Sequence, residues 1–228
     1  MTFRTILNYL DMLRRTGLRR TLKVLRHNSS ERYHEHRLGI DTAGTIAMAE
    51  LGIDKPAHRE YGPTPFRDFQ AMFDRLPIRP GQDVMIDYGS GKGRVLILAA
   101  GYPFRRIIGI EFSPALNAIA TANIETARPQ LVCTDVTTVV TDAREYVVPP
   151  DVTVAYFNNP FDRWIFDEVL VQLRASLTAH PRRLHVVLNC PPESKLPEAV
   201  AQCGWLCVEH QLGLEADRLC VIAVSQPA

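Results

Sequence analysis

The chain has 228 residues, with 26 lysines and arginines against 25 aspartates and glutamates, so a net charge of +1 makes no case for a polyanionic partner. Apolar residues make up 46% and charged residues 22%, the balance of a globular chain with a sizeable core, and no apolar run reaches the roughly 20 residues of a membrane helix. The five cysteines (Cys133, Cys190, Cys203, Cys207 and Cys220) fall at no metal-ligand spacing, and reduced thiols in a cytoplasmic protein are the simplest account of them.

Along the chain, Phe3, Ile6, Leu7, Leu10, Leu13, Leu18, Leu22 and Leu25 recur at helical spacing up to about residue 27, with a break expected at Gly17. Arg4, Arg14, Arg15, Arg19, Arg20, Lys23 and Arg26 are opposed there only by Asp11. Such a basic amphipathic helix suits a lid with its arginines in water, and also contact with an anionic membrane surface, an acidic partner or nucleic acid, or a transit peptide. His34-Glu35-His36 lacks a third ligand nearby and reads as surface histidines. A turn over Leu38 to Gly44 and a short helix from Thr45 to Leu51 complete an N-terminal helical extension, residues 1–60.

The main domain, residues 61–228, begins at Tyr61-Gly62-Pro63-Thr64-Pro65, with Thr64 as helix cap and Pro65 in the first turn. Phe66, Phe69, Phe73 and Leu76 form that helix's apolar stripe. Val84-Met85-Ile86 is a buried strand that runs into Asp87-Tyr88-Gly89-Ser90-Gly91-Lys92-Gly93-Arg94 and then a helix from Val95 to Ala100. Strands follow at Ile107 to Glu111, Thr138 to Thr141, Val154 to Asn158 and Leu184 to Asn189, with helices at Pro114 to Ile124, Phe166 to Leu177 and Pro197 to Cys203 between and after them. Leu206 to Leu212 and Leu219 to Ser225 are two last strands whose short connection, Gly213 to Asp217, demands an antiparallel pair.

The glycine turn decides among three kinds of site. A dinucleotide fingerprint needs G-x-G-x-x-G, and Arg94 stands where its third glycine belongs, which disfavours a nicotinamide or flavin site. A phosphate loop needs a glycine at the position of Ile86 and a hydroxyl at that of Gly93, so it fails twice. A strand ending on a carboxylate, Glu111, adds the feature of a ribose-bearing ligand, because a carboxylate accepts two hydrogen bonds in a fork.

The third kind of site is that of the class I S-adenosylmethionine-dependent methyltransferases, which the chain resembles at several separate points. Asp87-x-Gly89-Ser90-Gly91-x-Gly93 resembles their first motif, Glu111 the acid that holds the ribose, and Asp142-Ala143 the acid-plus-small pair beside the adenine. Asn159-Pro160-Phe161 is similar to a shortened form of the loop of amino-group methyltransferases, with Phe161 in place of its second proline. The string Tyr61 to Pro65 is similar to one in a bacterial and archaeal branch that includes protein lysine methyltransferases, and in that likeness Tyr61 and Thr64 touch the amino-acid end of the ligand.

The resemblance implies a doubly wound, Rossmann-like α/β sheet of seven strands with an antiparallel C-terminal hairpin. It implies S-adenosylmethionine held by Asp87, Gly89, Ser90, Gly91, Gly93, Glu111, Asp142 and Ala143. Asn159, Pro160 and Phe161 would orient a nitrogen acceptor, a protein lysine or a small-molecule amine. Lys92 and Arg94 read as surface or acceptor-side charges. A non-catalytic binding protein on the same fold is the alternative, and a nicotinamide-dependent oxidoreductase a weaker one.

Overall fold

The computed structural model describes residues 3–46, 61–214 and 218–226. The chain divides into two compact units, Met1–Leu38 and Gly39–Ala228. The first comprises α1 (Phe3–Thr16) and α2 (Leu18–Leu38), which meet at the expected break, where Gly17 has φ +81° and its N–H donates to the Leu13 carbonyl at 3.0 Å. The second helix runs some eleven residues past the expected end near 27 and carries His34 and His36 with it. Leu7, Leu10, Leu13, Leu18 and Leu22 are exposed. Among the described residues no helix is long and apolar enough to cross a membrane, and no histidine, cysteine and carboxylate cluster could hold a metal.

The larger unit thus includes Gly39 onward, ahead of Tyr61, where the motifs of the main domain begin. Side chains of the larger unit bind the segment just after Leu38: Asn123 both accepts from the Asp41 N–H (3.0 Å) and donates to its carbonyl (3.1 Å). The expected helix at Thr45–Leu51 lies, beyond Ile46, outside the described residues. Ile46 itself forms an isolated antiparallel bridge with Tyr61.

The larger unit is built on one seven-stranded sheet in the order β3-β2-β1-β4-β5-β7-β6. Its strands are β1 (Val84–Tyr88), β2 (Arg106–Glu111), β3 (Val136–Val140), β4 (Val152–Asn158), β5 (His185–Cys190), β6 (Leu206–Gly213) and β7 (Leu219–Ser225). All pairings are parallel except those of β7 with β5 and β6, so the hairpin is antiparallel as its short connection required. The helices are α3 (Phe66–Phe73), α4 (Arg94–Ala99), α5 (Pro114–Ala127), α6 (Arg163–Ala179) and α7 (Leu196–Gln202).

The apolar runs explain the layering. Every residue of β1 and β5 is buried, as a strand covered by helices on both faces must be, whereas edge strands β3 and β6 carry exposed residues. Tyr88 and Phe157 stack at 4.9 Å between centroids across the β1–β4 pair, and Phe166 of α6 meets Phe157 edge-on at 4.9 Å. Helix α6 begins three residues before the Phe166 start expected from its stripe, at Arg163. Strand order reverses direction between β1 and β4. The chain leaves β1 toward β2 and leaves β4 toward β5, so the connections diverge and open a crevice above the strand ends.

Candidate active site

The turn after β1 sits at that crevice and hangs on the end of β2, where the Gly89 and Ser90 N–H groups both donate to the Ile110 carbonyl (2.8 and 3.0 Å). Gly89, Gly91 and Gly93 have φ of +81°, +55° and +82°, a region that L side chains avoid. Their surroundings differ. A Cβ at Gly89 would stand 2.6 Å from Cβ of Pro160, and one at Gly91 well under 3.0 Å from the Tyr61 ring. A Cβ at Gly93 would meet Ala120 of α5 at 3.0 Å, so this glycine serves helix packing and not the cleft. Ser90 is buried, its hydroxyl hydrogen-bonded to no group among the described residues.

Above the turn lies a cleft of about 820 Å³ of empty space, part of it open to solvent. Of the residues singled out in the sequence, Tyr61, Thr64, Asp87, Gly89, Ser90, Gly91, Glu111, Ala143, Asn159, Pro160 and Phe161 line it, while Gly93 and Asp142 do not. The Asp142 carboxylate forks onto the Arg144 guanidinium (3.0 and 2.7 Å) and accepts the Arg144 N–H at 3.0 Å.

Two acids face the cleft. Glu111 Oε2 accepts the Gly91 N–H at 2.7 Å and Oε1 the Ser113 N–H at 2.8 Å, so the carboxylate ties the glycine turn to the start of α5. Burial raises its pKa, against the opposing pull of the Ser113, Gly91 and Phe112 amides. Asp87 is also buried, and desolvation, reinforced by the negative charge of Glu111, holds its carboxyl well above the usual range. Keeping both buried carboxyls ionised is unfavourable without a cation.

The cover and rim of the cleft are fixed by contacts invisible in the sequence. The Tyr61 hydroxyl donates to the Thr42 carbonyl at 2.6 Å. Thr64, expected to cap α3, instead shares a hydrogen bond with the buried Tyr156 hydroxyl at 2.9 Å, and Pro65 occupies the cap position without a side-chain bond. Lys92 and Arg94, expected at the surface or on the acceptor side, are 7% and 3% exposed, and Arg94 lines the cleft. Each is drawn inward to backbone or hydroxyl oxygen of the cover: Lys92 Nζ to the Ala43 carbonyl (3.0 Å), Arg94 Nε to Thr42 Oγ1 (2.6 Å) and Nη1 to the Thr64 carbonyl (3.2 Å).

At the rim, Asn159 is the one non-glycine residue with positive φ among the described residues, at 44°. Asparagine tolerates this conformation better than most residues, and such strain marks functional loops. Its Oδ1 accepts from Ser194 Oγ at 3.3 Å. Phe161 is buried against Phe157, edge-on at 6.3 Å, yet still lines the cleft.

Arg218, just ahead of β7, is a hydrogen-bond partner of the cleft residue Asn158 that sequence reasoning missed. Its Nε donates to Asn189 Oδ1 (2.7 Å) and its Nη2 to Asn158 Oδ1 (2.8 Å), while Asn158 Nδ2 donates to the Gly62 carbonyl (2.9 Å). The hairpin thereby fixes the ends of β4 and β5 and, through Asn158, the cover segment. A lone arginine opening an edge hairpin carries no periodic signal that could have revealed this.

No model of a known protein family matches the chain, and neither does any curated protein. Solved structures do. An RNA methyltransferase from Salinibacter ruber, in complex with S-adenosylhomocysteine, is 22% identical and has a TM-score of 0.53, covering 73% of this chain and 96% of that one. A precorrin-6y C5,15-methyltransferase from Geobacter metallireducens is 20% identical over 69% of this chain and 88% of that one, with a TM-score of 0.53. A ribosomal protein L11 methylase from Lactobacillus delbrueckii is 16% identical over 70% and 77%, with a TM-score of 0.51. The chain has the seven-strand, Rossmann-like fold of these methyltransferase structures, including the antiparallel C-terminal hairpin.

Proposed function

We propose that this protein is an S-adenosylmethionine-dependent methyltransferase acting on nitrogen, with a protein lysine as the first candidate acceptor and a small-molecule amine as the second. One observation carries the reading. The glycine turn, Glu111 and the strained Asn159 converge on a single cleft at the point where strand order reverses. The solved structures of like fold support the donor and leave the acceptor open, since they are named for RNA, a precorrin and a ribosomal protein.

The residues present fit such a ligand. The left-handed, side-chain-free backbone at Gly89 and Gly91 lets Pro160 and the Tyr61 ring stand directly against the turn, where a Cβ would collide with them, so that all of these residues can line one cleft. The Glu111 carboxylate has about four acceptor sites, gives three to the amides of Gly91, Ser113 and Phe112, and keeps one for a ribose hydroxyl. The buried Asp87 carboxyl lines the cleft, and although burial favours its neutral form, an α-ammonium group beside it would favour ionisation and gain a counter-charge. Ala143 on the cleft wall leaves room for an adenine ring, and Asp142 beside it would have to turn from its fork to Arg144 to accept from the adenine amino group.

When bound, S-adenosylmethionine supplies an electrophilic methyl group, so the protein has only to align a nitrogen lone pair, exclude water and receive the acceptor's N–H bonds. The Asn159 carboxamide oxygen accepts one bond from Ser194 and can accept a second from an acceptor N–H. The backbone carbonyl beside Pro160 is the other acceptor on that rim, and Phe161 gives it an apolar wall.

Thermal shift tests the donor. S-adenosylhomocysteine at a hundredfold excess over its Kd should stabilise the folded chain by about 2.7 kcal/mol. A shift with NAD and none with S-adenosylhomocysteine would favour an oxidoreductase, against the evidence of Arg94 at the third glycine position. Tritiated-methyl transfer into a cell extract, split into protein, nucleic-acid and small-molecule fractions, tests the acceptor, and binding without transfer would favour a non-catalytic protein.

A further inference from the structure

We infer that the N-terminal helical unit is an interfacial anchor that lies on an anionic phospholipid bilayer. The inference stands apart from the methyl-donor reading and uses none of its residues. Residues 7–26 hold six cations (Arg14, Arg15, Arg19, Arg20, Lys23 and Arg26) against one acid, Asp11, a net +5 in a chain whose total is +1. The rest of the chain therefore carries the difference, −4, so the basic charge is gathered on this unit. All six cations are exposed, and the one acid is engaged locally by Arg15 Nε at 3.0 Å. Leu7, Leu10 and Leu13 of α1 and Leu18 and Leu22 of α2 are exposed beside them, Leu18 by 62%.

The spacing puts these groups where a bilayer uses them. On α2, Leu18, Leu22 and Leu25 stand at i, i+4 and i+7, one face of the helix. Arg19, Lys23 and Arg26 repeat that spacing one residue on, so a row of cations runs beside the row of leucines, about 100° around the axis. On α1, Leu7, Leu10 and Leu13 form the apolar stripe, and Arg14 and Arg15 lie in the last turn. An apolar stripe set against the acyl boundary, with cations at the headgroups, is how a helix lies in a membrane interface. Other occupants use half of this surface. A nucleic acid would pair with the arginines and leave the exposed leucines in water. A second copy would cover the leucines but bring two +5 surfaces together.

Vesicle flotation of the full chain tests this, with vesicles of phosphatidylcholine alone and of phosphatidylcholine and phosphatidylglycerol in equal parts. The protein should float with the anionic vesicles, come off them as salt is raised, and stay behind with the neutral ones. Leu10→Ala with Leu22→Ala, at exposed positions where alanine keeps helix propensity, should weaken partition at least about tenfold. Arg19→Gln, Lys23→Gln and Arg26→Gln together should weaken it roughly a hundredfold, at about fivefold per cation. Circular dichroism and Tm should match wild type in both variants, and the single substitutions Leu22→Ala and Lys23→Gln serve if either variant loses helix. Failure to float with anionic vesicles at low salt would overturn the inference, as would equal binding to neutral vesicles or flotation unchanged by the alanine pair. An RNA duplex bound equally by wild type and the alanine pair, with no flotation, would give the basic face to nucleic acid and overturn it. A dimer seen by light scattering and broken by the alanine pair, again with no flotation, would make the stripe an interface between copies and overturn it too.

Discussion

Replacing Gly91 by alanine isolates the contact between the glycine turn and its cover. The new Cβ would fall well under 3.0 Å from two ring carbons of Tyr61, in a backbone at φ +55°. A left-handed conformation costs a residue with a Cβ about 1–2 kcal/mol, and an extra methyl in a filled space costs about 1–3 kcal/mol. The ring cannot swing aside freely, because its hydroxyl donates to Thr42 at 2.6 Å and the Lys92 ammonium lies 5.3 Å from its centroid. Gly91→Ala should therefore lower unfolding free energy by about 2–5 kcal/mol, a large share of the 5–15 kcal/mol typical of a domain. Urea unfolding of Gly91→Ala, Tyr61→Ala and the double variant closes a cycle. The steric part, about 1–3 kcal/mol, should return as coupling when Tyr61 is also removed, while the left-handed cost remains. Gly93→Ala is the control, since its neighbour is Ala120 and Tyr61→Ala should bring it no relief. Additivity of Gly91→Ala with Tyr61→Ala within about 0.5 kcal/mol would refute the reasoning.

Asp87 predicts a pH dependence. Its folded pKa is raised, so the stability it contributes is complete below the ordinary value of 3.8 and is lost as pH rises through the raised folded value. Asp87→Asn should flatten that decline and raise Tm at neutral pH, and a Tm series on both proteins showing a steeper decline in the variant would contradict it. Asn159→Gly keeps the backbone at φ 44° without strain and removes the carboxamide. It should abolish methyl transfer on an identified acceptor while S-adenosylhomocysteine affinity stays within about threefold, and undiminished turnover would remove Asn159 from the mechanism. Arg218→Lys cannot span Asn158 and Asn189 as the guanidinium does, and should cost about 1.5–3 kcal/mol by denaturant titration, a neutral result placing the strand ends under other control.

The backbone architecture was legible because buried parallel strands are apolar on both faces and the final connection is too short for anything but a hairpin. The same property hid Tyr156. In a strand buried throughout, alternation gives no clue to which side chain turns toward the crevice, and only the packed fold brings its hydroxyl to Thr64. The burial of Lys92 and Arg94 was hidden for a related reason. Charge next to glycine suggests solvent, but the segment that covers them comes from residues 42–43 and 61–64, distant in the chain.

The sequence by itself determined the turn, its acids, the succession of strands along the chain and the final antiparallel pair, since each depends on local chemistry: glycine for positive φ, a carboxylate at a strand end, a short loop between paired strands. Tertiary structure decided which charges the cleft contains. It turned the Asp142 carboxylate onto Arg144, brought Arg94 onto the wall beside Asp87 and Glu111, and tied Asn158 to Arg218. Those outcomes depend on which distant groups can satisfy a buried ion, and that competition is resolved only when the chain is folded.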